Sequence, residues 1–274
     1  MYTSAESKFD RVREMFRNKR VLVAFSGGVD STVLAVLAKQ SAIETRLLTV
    51  DSITFPRREL VAAQEVAKEL GIPLEIIQVD ELANEDLVSN PVNRCYHCKK
   101  ELASVWLAHS NKISYEIVAD GTSATDIEGH RPGAKALEEA GVLSPLRMAG
   151  ITKDEIREFA RSMDLSVAER PSMACLSSRF PYGTEITEKR IRMVDEVEQT
   201  VRDLFGIDCV RARYHDDIVR IEVASNERSK MFDLALLDLL NEKAKEVGFI
   251  YVTLDIQGYR TGSMNDVIDS STDN

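Results

Sequence analysis

Several features that would send this chain to other classes of protein are missing. No run of about 18 consecutive apolar residues occurs, which excludes a membrane-spanning helix from the reading. The opening Met1-Tyr-Thr-Ser-Ala-Glu-Ser-Lys8 has no apolar core of a secretory leader, and a cytoplasmic protein is expected. A basic surplus is missing too: 45 acidic against 35 basic residues give a net charge of −10, which argues against a nonspecific nucleic-acid binder. Four cysteines in 274 residues are too few for a disulfide framework. Internal repeats are absent, and so is the lysine-bearing loop G-x-x-x-x-G-K-[ST], which removes ordinary γ-phosphoryl transfer.

What is present is a soluble composition, 44% hydrophobic and 29% charged, in a chain long enough for two domains. Short apolar runs at 21–25, 45–50, 74–79 and 115–119 alternate with helical patterns at 5–19, 32–42 and 57–70. That order predicts an α/β fold, a doubly wound parallel sheet. Pro171, Pro181 and Gly183 crowd a joint, so the domains are read as 1–183 and 184–274. The second shows helix 187–204, strands 209–214 and 218–223, helix 229–247 and strand 250–254, an α+β lobe. The tail 266–274 reads as disordered.

The first apolar run stops at Ser26-Gly27-Gly28-Val29-Asp30-Ser31, where a helical pattern begins. Adjacent glycines remove the Cβ atoms that would hold an anion off the loop amides. Two hydroxyls and the positive end of a helix dipole point at the same spot. The stretch resembles the SGGxDS signature of PP-loop ATP pyrophosphatases, which implies ATP as a substrate, pyrophosphate held by Ser26, Gly27, Gly28, Asp30 and Ser31, and an adenylated product. By the same likeness Asp51 and Ser52, at a strand exit, and Gly121 and Thr122, in Asp120-Gly-Thr122, contact the nucleotide. Asp126 is then the candidate for Mg2+, and Lys153 reaches the phosphates. Thr152 and Glu155 also form a capping box. Arg131 is either a clamp for a phosphate or carboxylate or a surface arginine.

Cys95-Tyr96-His97-Cys98 is read as a polar loop, and Cys175 lies in the Pro171-to-Phe180 stretch. Cys209, between Ile207 and Val210, reads as core packing. A single C-x-x-C serves zinc, redox and iron-sulfur chemistry alike. Structural zinc wants four ligands, whereas three cysteines can hold a [4Fe-4S] cluster and leave one iron open to carry sulfide. Cluster, zinc and plain structural use all stay open on spacing alone.

Cys175-Leu-Ser-Ser-Arg179-Phe-Pro-Tyr-Gly-Thr184, Val210-Arg211-Ala-Arg213-Tyr-His215 and Tyr251 to Asn265 with Arg260 together resemble the LarE family of ATP-dependent sulfur transferases. The resemblance implies adenylation of a carboxylate of pyridinium-3,5-biscarboxylic acid mononucleotide, then exchange of oxygen for sulfur, in nickel-pincer nucleotide biosynthesis. Some members give up the sulfur of one cysteine, here at Cys175. Cys95 and Cys98 depart from that pattern and favour members with a cluster on Cys95, Cys98 and Cys175, fed by a sulfide donor. Asp30, Ser31 and Cys175 are the catalytic candidates. Arg179, Arg211, Arg213 and Arg260 are those for the substrate's anionic groups, with Glu222 and Asp255 as polar partners and His215 without a role. A homo-oligomer, with a hexamer as one form, is implied, with no membrane and no nucleic-acid partner. The alternative reading is a PP-loop tRNA thiolase with a three-cysteine cluster.

Overall fold

The computed structural model describes residues 4–127, 132–260 and 262–264. Arg131 and the tail 266–274 lie outside the described residues. The chain divides into two compact units, one of residues 1–81 and 93–173 and the other of 82–92 and 174–274. The division therefore falls at 173/174, ahead of the joint read at 183, and 82–92 joins the second unit. That segment is held there by Asn90, whose side-chain amide donates to the carbonyls of Pro181 (2.7 Å) and Thr184 (3.0 Å).

In chain order the first unit begins α1 (Ser4–Phe16), β1 (Arg20–Ala24), α2 (Val29–Ser41), β2 (Glu44–Asp51), α3 (Arg57–Leu70) and β3 (Leu74–Gln78). After α4 (Glu85–Val88), part of the second unit, it resumes with α5 (Arg94–Ile113), β4 (Ile117–Ala119), α6 (Pro132–Ala140), α7 (Pro145–Met148) and α8 (Lys153–Ser162). All pairings are parallel in the order β3-β2-β1-β4. Strand order reverses between β1 and β4, and at such a switch point the loops leaving the carboxyl ends diverge and leave a crevice. Alternation sends Val21 and Val23 of β1 into one core, with α1 and α2, and Leu22 into another with Trp106 of α5 and Leu137 of α6. A sheet buried on both faces explains why β1 reads as a continuous apolar run.

The second unit continues with α9 (Glu188–Phe205), β5 (Val210–His215), β6 (Ile218–Val223), α10 (Leu234–Glu246) and β7 (Tyr251–Leu254). Its sheet is β5-β6-β7, antiparallel then parallel. Helix α10 starts five residues later than its pattern suggests, because the Asp233 side chain caps the Leu236 amide at 3.1 Å and makes a fresh start there. Cys209 is buried, and burial pushes its thiol up.

Candidate active site

At the exit of β1 the backbone turns at Gly27, with φ of +71°, and a Cβ there would lie 2.7 Å from Ala63 Cα of α3. Only glycine meets both demands. The loop then ties itself together. The Ser31 hydroxyl donates to the Gly28 carbonyl (3.1 Å) and lies 3.2 Å from the Ser26 hydroxyl, which accepts from the Gly28 amide at 3.3 Å. The first backbone bond of α2 runs from the Thr32 amide to the Gly28 carbonyl. The amides of Val29, Asp30 and Ser31 therefore open the helix without a carbonyl partner among the described residues, a donor set that suits an anion.

Gly121, leaving β4, packs directly against that first turn: a Cβ there would stand 2.8 Å from the Ser31 nitrogen. The two signatures, about ninety residues apart in sequence, thus meet within the first unit. Asp120 sets the second loop, accepting from the Ser144 hydroxyl at 2.5 Å, the Thr122 amide at 3.2 Å and the Thr122 hydroxyl. Asp126 accepts from the amide (2.9 Å) and hydroxyl (2.8 Å) of Ser123.

Asp30 pairs with Lys153, which the Thr152–Glu155 capping box places at the start of α8. Burial raises the Asp30 carboxyl, Lys153 opposes that, and the negative charge of Asp126 adds to the rise. One Asp30 oxygen, Oδ1, is buried with no hydrogen-bond partner among the described residues. An orphaned carboxylate oxygen near a second carboxylate is a donor set that fits Mg2+, a hard cation that takes oxygen ligands. From behind, Arg170 donates to the Gly27 carbonyl (3.3 Å) and to buried Glu59 (2.6 Å). Neither Asp120 nor Arg170 was singled out from sequence, because each acts by holding backbone that only the folded loop exposes. At the β2 exit Asp51 pairs with Arg57, and Ser52 is buried.

The structure changes the reading of the C-x-x-C segment: Cys95 and Cys98 sit at the start of α5, not in a loop, three residues apart on one face. No disulfide joins any of the four cysteines. Among the described residues no group of three or more His, Cys, Asp or Glu side chains is gathered to hold a metal ion.

In the second unit Arg179 is 2% exposed and grips Glu198 of α9 through Nε (2.7 Å) and Nη2 (3.1 Å). Its Nη1 donates to the carbonyls of Ala174 (3.1 Å) and Cys175 (3.2 Å), so Arg179 shapes the turn that carries Cys175. Arg213 donates to Glu222 (2.7 Å), the Ser178 carbonyl (2.9 Å) and Ser263 (3.1 Å). Arg211 lies over the Tyr259 ring at 4.9 Å, and burial, followed by nearby Arg179, lowers its hold on the proton. The alternation of β5 does put Arg211 and Arg213 on one face, opposite Glu222 and Arg220 of β6. Arg220 joins Glu222 (2.9 Å) to Asp255 (2.5 Å), and Arg202 adds to Glu198 at 2.8 Å. Among the described residues five guanidinium groups thus gather around three carboxylates, an arginine-rich arrangement suited to an anionic ligand. Burial would lift the Glu198 carboxyl, but Arg179, then Arg202 and Arg211, hold it down at about 2. Glu198 had a legible signal: it falls on the apolar stripe of α9 with Ile191, Val194 and Val201. Burial and Arg220 lower the His215 imidazole. Arg260 follows β7 in the same unit.

Residues 19–207 match the family described as "Family of unknown function (DUF7411)". The pyridinium-3,5-bisthiocarboxylic acid mononucleotide synthase of Lactiplantibacillus plantarum is 34% identical over 98% of this chain and 97% of its own. "Uncharacterized protein slr1717" of Synechocystis sp. is 37% identical over 96% of this chain and 98% of its own. The tRNA-specific 2-thiouridylase MnmA of Acidithiobacillus ferrooxidans is 30% identical over 56% of this chain and 52% of its own. With a parallel sheet whose first loop and Asp-Gly-Thr loop meet at the switch point, and with a full-length relative of this identity, the chain belongs to the family described as DUF7411 and to the LarE family of PP-loop proteins.

Proposed function

We propose that this chain is an ATP-dependent sulfur transferase that converts a carboxylate of pyridinium-3,5-biscarboxylic acid mononucleotide into a thiocarboxylate, a step in making a nickel-pincer nucleotide. The observation that carries the reading is the 34% identity, over nearly the whole chain, to a synthase of the bisthiocarboxylic acid mononucleotide. The anion cradle at Ser26–Ser31 supports it.

A carboxylate oxygen is a poor leaving group. Its attack on the α-phosphorus of ATP forms an O–P bond and breaks the bond to pyrophosphate, giving an acyl adenylate. Sulfur then adds to the carbonyl carbon, and AMP departs with the original oxygen. The open amides of Val29 to Ser31, with the Ser26 and Ser31 hydroxyls, hold the pyrophosphate as its charge grows. Gly27 and Gly28 let the phosphates approach, Asp51 and Ser52 face the adenosine, and Gly121 and Thr122 close the other side. Asp30 and Asp126 would hold Mg2+, which when bound neutralises phosphate charge. Arg211, Arg213 and Arg260, with Arg179, supply the positive field for the mononucleotide's phosphate and second carboxylate. Arg131 remains a candidate clamp.

We propose further that Cys95, Cys98 and Cys175 ligate a [4Fe-4S] cluster, organised by the metal itself as metal-coupled sites are, and that the chain forms a homo-oligomer. The test mixes protein, ATP, magnesium and the mononucleotide and measures AMP, pyrophosphate and thiocarboxylate. Anaerobically purified protein should carry about four irons per chain, and Cys98→Ala should lose iron and sulfur transfer while still releasing pyrophosphate. Loss of sulfur from Cys175 after a single turnover would replace the cluster with a sacrificial cysteine. A native tRNA shifted on a gel would favour a tRNA thiolase instead.

A further inference from the structure

We infer that Glu81 is a positioning residue that ties Cys98 to the nucleotide edge of β2, so that a ligand at that edge changes how the Cys98 thiol is presented. The inference rests on the reading of Asp51-Ser52 as the adenosine edge. Glu81 stands three residues after β3 and is 2% exposed. Its oxygens take one neutral donor each: Oε1 accepts from Cys98 Sγ at 3.3 Å, and Oε2 accepts from the Thr54 hydroxyl. No lysine, arginine or histidine within ion-pair distance of Glu81 is found among the described residues. A buried carboxylate without a cation is costly, so the two neutral donors carry its whole solvation.

The Thr54 oxygen lies 3.3 Å from the Ser52 hydroxyl. Because the single Thr54 hydrogen goes to Glu81, the Ser52 hydroxyl must donate to Thr54, which leaves the Ser52 oxygen as an acceptor. Four buried or half-buried side chains therefore form one directional line, Ser52 to Thr54 to Glu81 from one end and Cys98 to Glu81 from the other. A ligand donor at Ser52, such as a ribose hydroxyl or an exocyclic amine, polarises that line and changes the hold of Glu81 on Cys98. The line operates in the cluster-free chain, where Cys98 carries its proton and donates to Glu81. This is an effect on orientation and needs no proton transfer.

The test uses reduced, cluster-free full-length protein, N-ethylmaleimide, and mass spectrometry of the Cys98 and Cys95 labelling rates with and without magnesium ATP; exposed Cys95 is the internal reference. ATP should change the Cys98-to-Cys95 rate ratio about fivefold, the equivalent of one ordinary hydrogen bond. Thr54→Val, which keeps the shape and removes the hydroxyl, and Glu81→Gln should both lose that response while binding ATP as the wild type does. A response retained in Thr54→Val overturns the inference. So does a wild type that binds ATP with an unchanged ratio, an arm that needs no variant. A wild type that fails to bind ATP overturns the reading of the β2 edge, and the link with it.

Discussion

Gly121→Ala tests whether the two loops form one nucleotide site. An added Cβ would stand 2.8 Å from the Ser31 nitrogen and 3.1 Å from both the Asp30 carbonyl carbon and Ser31 Cα. All three are backbone atoms in the first turn of α2, so no rotamer change relieves the clash, and β4 and α2 must part by about half an ångström to reach an ordinary contact. Overpacking of this kind costs about 1–3 kcal/mol, or roughly 2–10 °C in Tm for a unit of this size. The displaced turn carries the open amides of Val29 to Ser31. Loss of one charge-assisted hydrogen bond from them should weaken ATP binding by roughly tenfold. Gly150→Ala is the control. Its φ is +71° and nothing lies within 4 Å of the added Cβ, so it pays about 1–2 kcal/mol of left-handed strain without touching the loop. Thermal unfolding and calorimetric ATP titration of both variants decide the matter. A folded Gly121→Ala protein with wild-type ATP affinity, or a Gly150→Ala protein that loses affinity equally, would refute the reasoning.

Two further outcomes follow from the charges. Lys153→Met removes the cation that opposes burial at Asp30, so the Asp30 carboxyl, already raised, should rise further. The acid limb of magnesium-dependent pyrophosphate release should then move to higher pH, with about a tenfold loss of rate at neutral pH from the misplaced charge; a pH–rate profile reads both. Glu198, held at about 2 by its arginines, contributes stability that is complete above its ordinary value of 4.5 and is lost as pH falls through 2. That contribution is about 3 kcal/mol. Glu198→Gln should destabilise the second unit by about 3–5 kcal/mol, since Arg179 is left without its carboxylate, and should flatten acid unfolding between pH 5 and 2, as followed by circular dichroism.

Much of the fold was open to reading because its signals are local. The apolar run before Ser26, the helical pattern at 57–70 and the Thr152–Glu155 capping box each depend on neighbours a few residues away, and each element formed as expected. Where a competing local signal intervened, the reading slipped. The polar residues around Cys95 looked like a loop, yet they open a twenty-residue helix anchored by Ala103 and Trp106, with Arg94 buried and Cys98 half-buried. The boundary at 173/174 was equally hidden, since it depends on Asn90 reaching Pro181 and Thr184 across about ninety residues of chain.

By itself, the sequence determined the order of strands and helices, the glycine turn and a cluster of donors suited to an anion, because periodicity, φ preference and hydroxyl spacing are written within a few residues. Only the tertiary structure decided that Gly121 touches Ser31, that Arg179 holds Glu198 and the Cys175 turn, and that Glu81 connects Thr54 with Cys98. Those relations bring distant segments within hydrogen-bond range. That range is fixed by packing, which no stretch of sequence carries alone.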